Sequence, residues 1–220
     1  ISPEAPVPVL LVTGERALPG GAANVALNIQ SLGGQAVVAG VMGKDRAGED
    51  LLATLTRNKI QTDGVLAYDA LQTTVKTRVL ADRQQIVRVD REELLEPSSS
   101  ILKDFCRKLA GLLGDVDGVV IEDYGKGVIS QGVIDTIMGA SRASKIPVGF
   151  DPKENETLRM SGITLATPNY REACAAAGLK EAVIHGDPET DPILKEAGGI
   201  LLEKWSPKLL IITLGAHGMY

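Results

Sequence analysis

Five short stretches hold the residue types that could bind a hydroxylated or phosphorylated ligand. Pro19 to Gly34 reads Pro-Gly-Gly-Ala-Ala-Asn-Val-Ala-Leu-Asn-Ile-Gln-Ser-Leu-Gly-Gly. Gly20 and Gly21 lack side chains, so a ligand can approach backbone N–H groups at the start of a following helix, where anionic and polar groups are favoured. Asn24 adds an amide that both donates and accepts, which suits a sugar hydroxyl. An ordinary turn into a helix would use the same glycines. The spacing is not Gly-x-Gly-x-x-Gly, and no Gly-x-x-x-x-Gly-Lys-Ser/Thr occurs, so the dinucleotide and P-loop fingerprints are excluded.

The other four stretches follow apolar runs that read as strands. After Val119-Val120-Ile121 comes Glu122-Asp123-Tyr124-Gly125-Lys126-Gly127. Asp123 can accept hydrogen bonds from sugar hydroxyls, and Lys126 between two glycines can reach a phosphate. A solvated loop with a local ion pair is the bland alternative. Asp151-Pro152-Lys153 follows Val148-Gly149-Phe150. Pro152 fixes φ, so Lys153 projects from a defined place, as a lysine that neutralises a transferring phosphoryl group should. In Thr167-Pro168-Asn169-Tyr170-Arg171-Glu172, Asn169 and Glu172 have the spacing of a helix capping box, which alone would explain them. The last is Thr213-Leu214-Gly215-Ala216-His217-Gly218, whose small residues would let a ligand lie on backbone.

Ligands of open α/β sheets bind beyond the carboxyl ends of the strands, and the chain has the elements to build one. A strand at Ala36–Met42 and a helix over about Ala47–Asn58 follow the opening helix, whose apolar face is Ala23, Val25, Leu27, Ile29 and Leu32. Val65–Tyr68, Thr73–Ala81 and Gln85–Asp90 then read as strands with no helix between them. With Ala5–Thr13 they form a small sheet covering the main domain. Lys76 and Arg78 share one face of it, as does Arg88 on the next strand. Alternation resumes at Ser98, a helix cap, and continues through strands near 118–122, 147–150, 164–166 and 209–213. The helices between them start at Ser130, Tyr170 and Asp191. The reading is one incomplete domain over 1–220, with lid strands about 5–13 and 65–90 and an α/β core at 19–64 and 91–220.

Composition fits. The chain has 220 residues, 44% hydrophobic, 23% charged and 3% aromatic, so the core must be aliphatic. A net charge of −5 argues against a nucleic-acid surface. No run approaches the ~20 apolar residues of a membrane span. Cys106 and Cys174 are isolated and read as reduced core thiols. With two histidines far apart they give no zinc spacing.

The segment Gly20-Gly21-Ala22-Ala23-Asn24 resembles the sugar-binding signature of the ribokinase-like (PfkB) carbohydrate kinases. The opening Ile-Ser-Pro-Glu-Ala-Pro-Val-Pro-Val is similar to the heptose-7-phosphate kinase branch of that family, as is the Asp-Tyr-x-Lys-Gly run at Asp123–Gly127. The resemblance implies a three-layer α/β/α sandwich around a mostly parallel sheet, with a β lid through which members dimerise. It implies ATP and Mg²⁺ as cofactors, a sugar phosphate as substrate and a cytoplasmic enzyme. Gly20, Gly21, Asn24, Lys76, Arg78, Arg88, Asp123 and Lys126 would bind the sugar phosphate. Lys153, Asn169, Glu172, Thr213 and Gly215 would bind nucleotide and phosphates, with Glu172 ordering water around Mg²⁺. The family's catalytic base lies in a Gly-Ala-Gly-Asp segment that does not occur in these residues. The base is therefore expected beyond Tyr220, the family's first strand before Ile1, and little turnover from these residues alone. Another ribokinase-like sugar kinase, or a non-catalytic sugar-phosphate or nucleotide-binding module, are the alternatives.

Overall fold

The computed structural model of the chain describes residues 4–5, 9–81, 84–92, 99–153, 158–181 and 187–220. Helix α1 (Ala22–Ser31) starts from Gly21, whose φ of 55° is a left-handed conformation that favours glycine. It closes at Gly33, with φ 89°. Its packed face is narrower than the sequence pattern indicates: Ala23 and Ala26 are buried, while Leu32 caps the helix end and is exposed.

Strand β1 (Val37–Gly43), helix α2 (Arg46–Arg57) and strand β2 (Gln61–Tyr68) form a parallel strand–helix–strand unit. Asp45 caps α2, one oxygen accepting from Gly48 N at 2.8 Å and the other from Thr73 N at 2.8 Å.

Strand β2 corrects the lid boundary. The sequence reading places Val65–Tyr68 in the lid, but these residues belong to β2, with Val65 opposite Gly40 and Tyr68 opposite Gly43. Gly64 allows the approach, since a Cβ there would lie 2.7 Å from Ala39 Cβ. The α/β core thus runs on to Tyr68. The strand expected over Ala5–Thr13 is also corrected. Residues 6–8 lie outside the described residues, and 9–13 carry no strand. Val9, Leu11 and Val12 are exposed there; apolar residues without a paired neighbour do not make a strand. What remains of the lid is an antiparallel hairpin, β3 (Val75–Ala81) and β4 (Gln84–Arg91), bulged between Val79 and Leu80.

The second half is α3 (Ser99–Leu112), β5 (Val119–Glu122), α4 (Gln131–Ser144), β6 (Val148–Asp151), β7 (Leu165–Ala166), α5 (Tyr170–Ala176), α6 (Pro192–Trp205) and β8 (Leu209–Leu210). The cap expected at Ser98 lies outside the described residues. Strands β5 to β8 form one parallel sheet in chain order. Helix α3 buries Ile101, Phe105 and Leu109, spaced one turn apart, and α6 buries Leu194, Ala197, Leu201 and Trp205. The core is aliphatic as composition requires, with Phe150 and Trp205 meeting edge to face at 5.5 Å. Both cysteines are free thiols, Cys174 buried and Cys106 partly so.

Asp191 caps α6, its Oδ1 accepting from Leu194 N at 2.8 Å. Asp191→Ala leaves that donor unsatisfied and is expected to cost about 1 kcal/mol. Thermal unfolding followed by circular dichroism should show Tm about 2–4 °C lower.

Candidate active site

The carboxyl ends of β5 to β8 open on the same edge of the sheet because the strands are parallel. Glu122 at the end of β5 lies opposite Asp151 at the end of β6, and Asp123 N donates to Asp151 O at 3.0 Å. Thr167 N donates to Phe150 O at 3.0 Å, and Tyr170 N to Thr213 O at 3.0 Å. Backbone bonding therefore brings all four strand-end loops together.

Two glycines lock further contacts. Gly125 has φ 62°, and a Cβ there would stand 3.4 Å from Lys153 Cγ, so the lysine stem lies along this loop. A Cβ on Gly21 would stand 3.3 Å from Tyr124 Cε2, which sets the Gly20-Gly21 loop against the loop after β5. Asn24 is exposed on the first turn of α1.

Asp123 is buried. Its Oδ1 accepts from Gly125 N at 2.8 Å, while its Oδ2 has no hydrogen-bond partner among the described residues. A buried acceptor left open has a ligand donor as its natural partner. Asn169 and Glu172 do form the capping box: Glu172 N donates to Asn169 Oδ1 at 2.9 Å, and Asn169 N to Glu172 Oε2 at 3.0 Å. The other Glu172 oxygen, Oε1, lies 3.6 Å from Lys153 Nζ. Capping and facing the lysine are thus divided between its two oxygens. The Thr213 side chain is exposed, and Gly215 takes φ 60° in the turn that follows.

Carboxyl groups crowd Lys153. Burial, then the charge of Asp151, pushes Glu122 up to about 7. Burial raises Asp123 against the pull of the Gly125 N–H and Lys153. Burial also raises Asp151; the Thr167 hydroxyl, 3.2 Å from Asp151 Oδ1, opposes the shift. Such a site favours a bound cation. Among the described residues no three metal-ligating side chains converge. The donor set would suit an ion that keeps most of its own water, as Mg²⁺ does.

Lys76, Arg78, Arg88 and Asp90 share one face of the hairpin, with Lys76 opposite Asp90 and Arg78 opposite Arg88. Lys76 Nζ lies 3.0 Å from Asp90 Oδ2 and 2.7 Å from Glu92 Oε2. Arg88 Nε lies 2.9 Å from Asp90 Oδ1. Lys126, in the loop after β5, reaches the lid, its Nζ 2.8 Å from Glu92 Oε1. Glu122, Asp151 and Glu92 are the residues sequence reasoning missed. For the first two the available signal was an acidic residue closing each of two apolar strands.

Among the described residues no helix is long and apolar enough to cross a membrane. The chain matches the family described as pfkB family carbohydrate kinase over residues 3–220. It is 40% identical over 219 residues, all of its length, to the Bifunctional protein HldE of Pelobacter propionicus, covering 43% of that protein. It is 43% identical over 180 residues to the Bifunctional protein HldE of Gluconobacter oxydans, covering 81% of this chain and 38% of that one. The chain therefore spans less than half the length of these curated relatives. Among solved structures, phosphofructokinase-2 of Escherichia coli superposes with a TM-score of 0.67 at 20% identity, over 98% of this chain and 68% of that one. Ribokinase of Giardia lamblia superposes with a TM-score of 0.64 at 19% identity, over 90% and 60%. The fold is the ribokinase-like three-layer α/β/α sandwich, and the chain belongs to the pfkB family of carbohydrate kinases.

Proposed function

We propose that this chain is kinase-domain sequence from an enzyme that phosphorylates D-glycero-D-manno-heptose 7-phosphate at O1, giving the 1,7-bisphosphate. The observation that carries the reading is the cationic face of the lid. Arg78 and Arg88 stand directly opposite each other, with Lys76 on the same face and Lys126 reaching in from the loop after β5. Like charges directly opposite destabilise a hairpin, so the arrangement calls for an anion, and a substrate that already carries a phosphate supplies one. The similarity to HldE proteins supports the same choice.

Mg·ATP, when bound, supplies the γ-phosphoryl group. The remaining work falls to positioning and charge neutralisation. Gly20 and Gly21 offer backbone to the sugar, Asn24 its amide, and Asp123 an open buried oxygen. Lys153 faces the phosphoryl group from a stem held on Gly125. Glu172 orders water about Mg²⁺ while Asn169 fixes its helix. Thr213 and Gly215 lie on the adenosine side. The enzyme works in the cytoplasm, where ATP is supplied. The exposed Leu80, Ile86, Val87 and Val89 on the hairpin support a homodimer through the lid.

Steady-state kinetics of the complete protein test the lid. Lys76→Ala with Arg78→Ala is expected to raise KM for the sugar phosphate about tenfold, the loss of roughly 1.4 kcal/mol of charge-assisted binding, with kcat nearly unchanged. An unchanged KM would remove the lid from phosphate recognition. A panel of unphosphorylated sugars separates this reading from another sugar kinase.

A further inference from the structure

The lid cations do not stand open. Glu92 spans them, with Oε2 2.7 Å from Lys76 Nζ and Oε1 2.8 Å from Lys126 Nζ. Both contacts have the length of charge-assisted hydrogen bonds. They join different parts of the fold, since Lys76 is on β3 and Lys126 in the loop after β5. One carboxylate thus ties the hairpin to the sheet edge. Its two oxygens each meet a separate ammonium, the way a phosphate monoester presents two of its terminal oxygens. The two lysines hold its carboxyl below the usual range, Lys126 most strongly. Beside it, Arg88 turns to Asp90, and among the described residues Arg78 makes no ion pair.

We propose that Glu92 is an intramolecular stand-in for the substrate's phosphate, occupying the phosphate subsite until the phosphate displaces it. The proposal rests on the sugar-phosphate reading above. In the ligand-free enzyme Glu92 keeps Lys76 and Lys126 together and the lid tethered; the incoming phosphate takes its place between them. The exchange is driven by charge. A phosphate monoester carries a charge of about −1.5 to −2 and three acceptor oxygens against one charge and two oxygens for a carboxylate. A sugar without phosphate has nothing to displace Glu92 with, and the lysines stay occupied. Glu92 therefore competes with the phosphate alone for the two lysines and leaves a neutral sugar unaffected.

The test uses the complete natural protein, with the heptose 7-phosphate and inorganic phosphate as probes. Glu92→Gln keeps the shape and removes the competing charge. KM for the sugar phosphate is expected to fall about three- to tenfold, the value of two partly exposed ion pairs. The concentration of inorganic phosphate that half-inhibits should fall by the same factor, while kcat/KM for an unphosphorylated sugar should not move. Glu92→Asp keeps the charge but is too short to reach both ammoniums, and should give a smaller fall in both constants. A rise in KM for Glu92→Gln would mean that Glu92 binds substrate itself, and would overturn the proposal. So would constants that stay within twofold of wild type. If the wild-type enzyme shows no preference for phosphorylated sugars, the cradle reading fails as well, and that result appears before any variant is made.

Discussion

Replacing Lys153 by alanine in the complete enzyme is expected to lower kcat by about 10²- to 10³-fold, with KM for the sugar phosphate nearly unchanged. The magnitude is that of removing one preorganised charge from a site of developing negative charge. Three observations single out this lysine. Pro152 fixes the turn that launches it, and its stem runs along Gly125, where a Cβ would stand 3.4 Å from Lys153 Cγ. Its Nζ lies 3.6 Å from Glu172 Oε1, longer than a closed ion pair. The ammonium is therefore anchored but not consumed, and a phosphoryl oxygen can complete its set of donors. Asp123 and Asp151 each feel its positive charge, so it already serves as the counter-ion of the strand ends. Arginine should restore little of the loss, because a planar guanidinium does not reproduce a compact ammonium in a closed turn. Single-turnover kinetics at saturating ATP separate the roles. A lysine that acts on the transition state lowers the chemical step, whereas one that only binds nucleotide raises KM for ATP and leaves the step alone.

Local chemistry made much of this arrangement visible in the sequence. Ser130 caps its helix as the sequence indicates, Asp191 proves to be the cap of the helix read as starting there, and Asn169 with Glu172 closes both halves of the capping box. Those bonds span three residues, so a short window contains the cause and the result. The strand-end loops were visible for a similar reason, since an apolar run followed by polar residues and glycine is a local pattern. What escaped was non-local. Strand β2 opens with Gln61-Thr62-Asp63 and takes its identity from parallel pairing with β1 across α2, which no single stretch displays. Val9 to Thr13 has the composition of a strand and no strand to pair with among the described residues. Glu92, which Lys126 meets, lies 34 positions earlier in the chain, so no single stretch displays that pair. Glu122 gains its significance only from the register, which puts Asp151 beside it.

That pairing predicts a stability that falls with pH. Glu122 is pushed up to about 7 in the folded protein, from an ordinary 4.5, first by burial and then by Asp151. Below the ordinary value the carboxyl is protonated in both states and contributes nothing. Between the two values the unfolded chain has lost the proton and the folded one still holds it, so each step up in pH favours unfolding. Above the folded value both are ionised and the cost of a half-buried charge next to Asp151 remains, about 2–3 kcal/mol once solvent screening is allowed for. Glu122→Gln removes the ionisation and keeps the size. Without nucleotide or Mg²⁺, the variant should match wild type near pH 5 and unfold about 5–10 °C higher at pH 8. Protonation of Glu122 accounts for the whole difference, so the gap should open through the interval between those two values and stay constant above it. A gap of equal size at both ends would instead mean that glutamine packs better. Wild type more stable at pH 8 would mean that an ionised Glu122 has a cation partner strong enough to reverse the effect of burial. Magnesium distinguishes the last case: an ion that binds near the strand ends would stabilise wild type at pH 8 and shrink the gap, because it favours the ionised form.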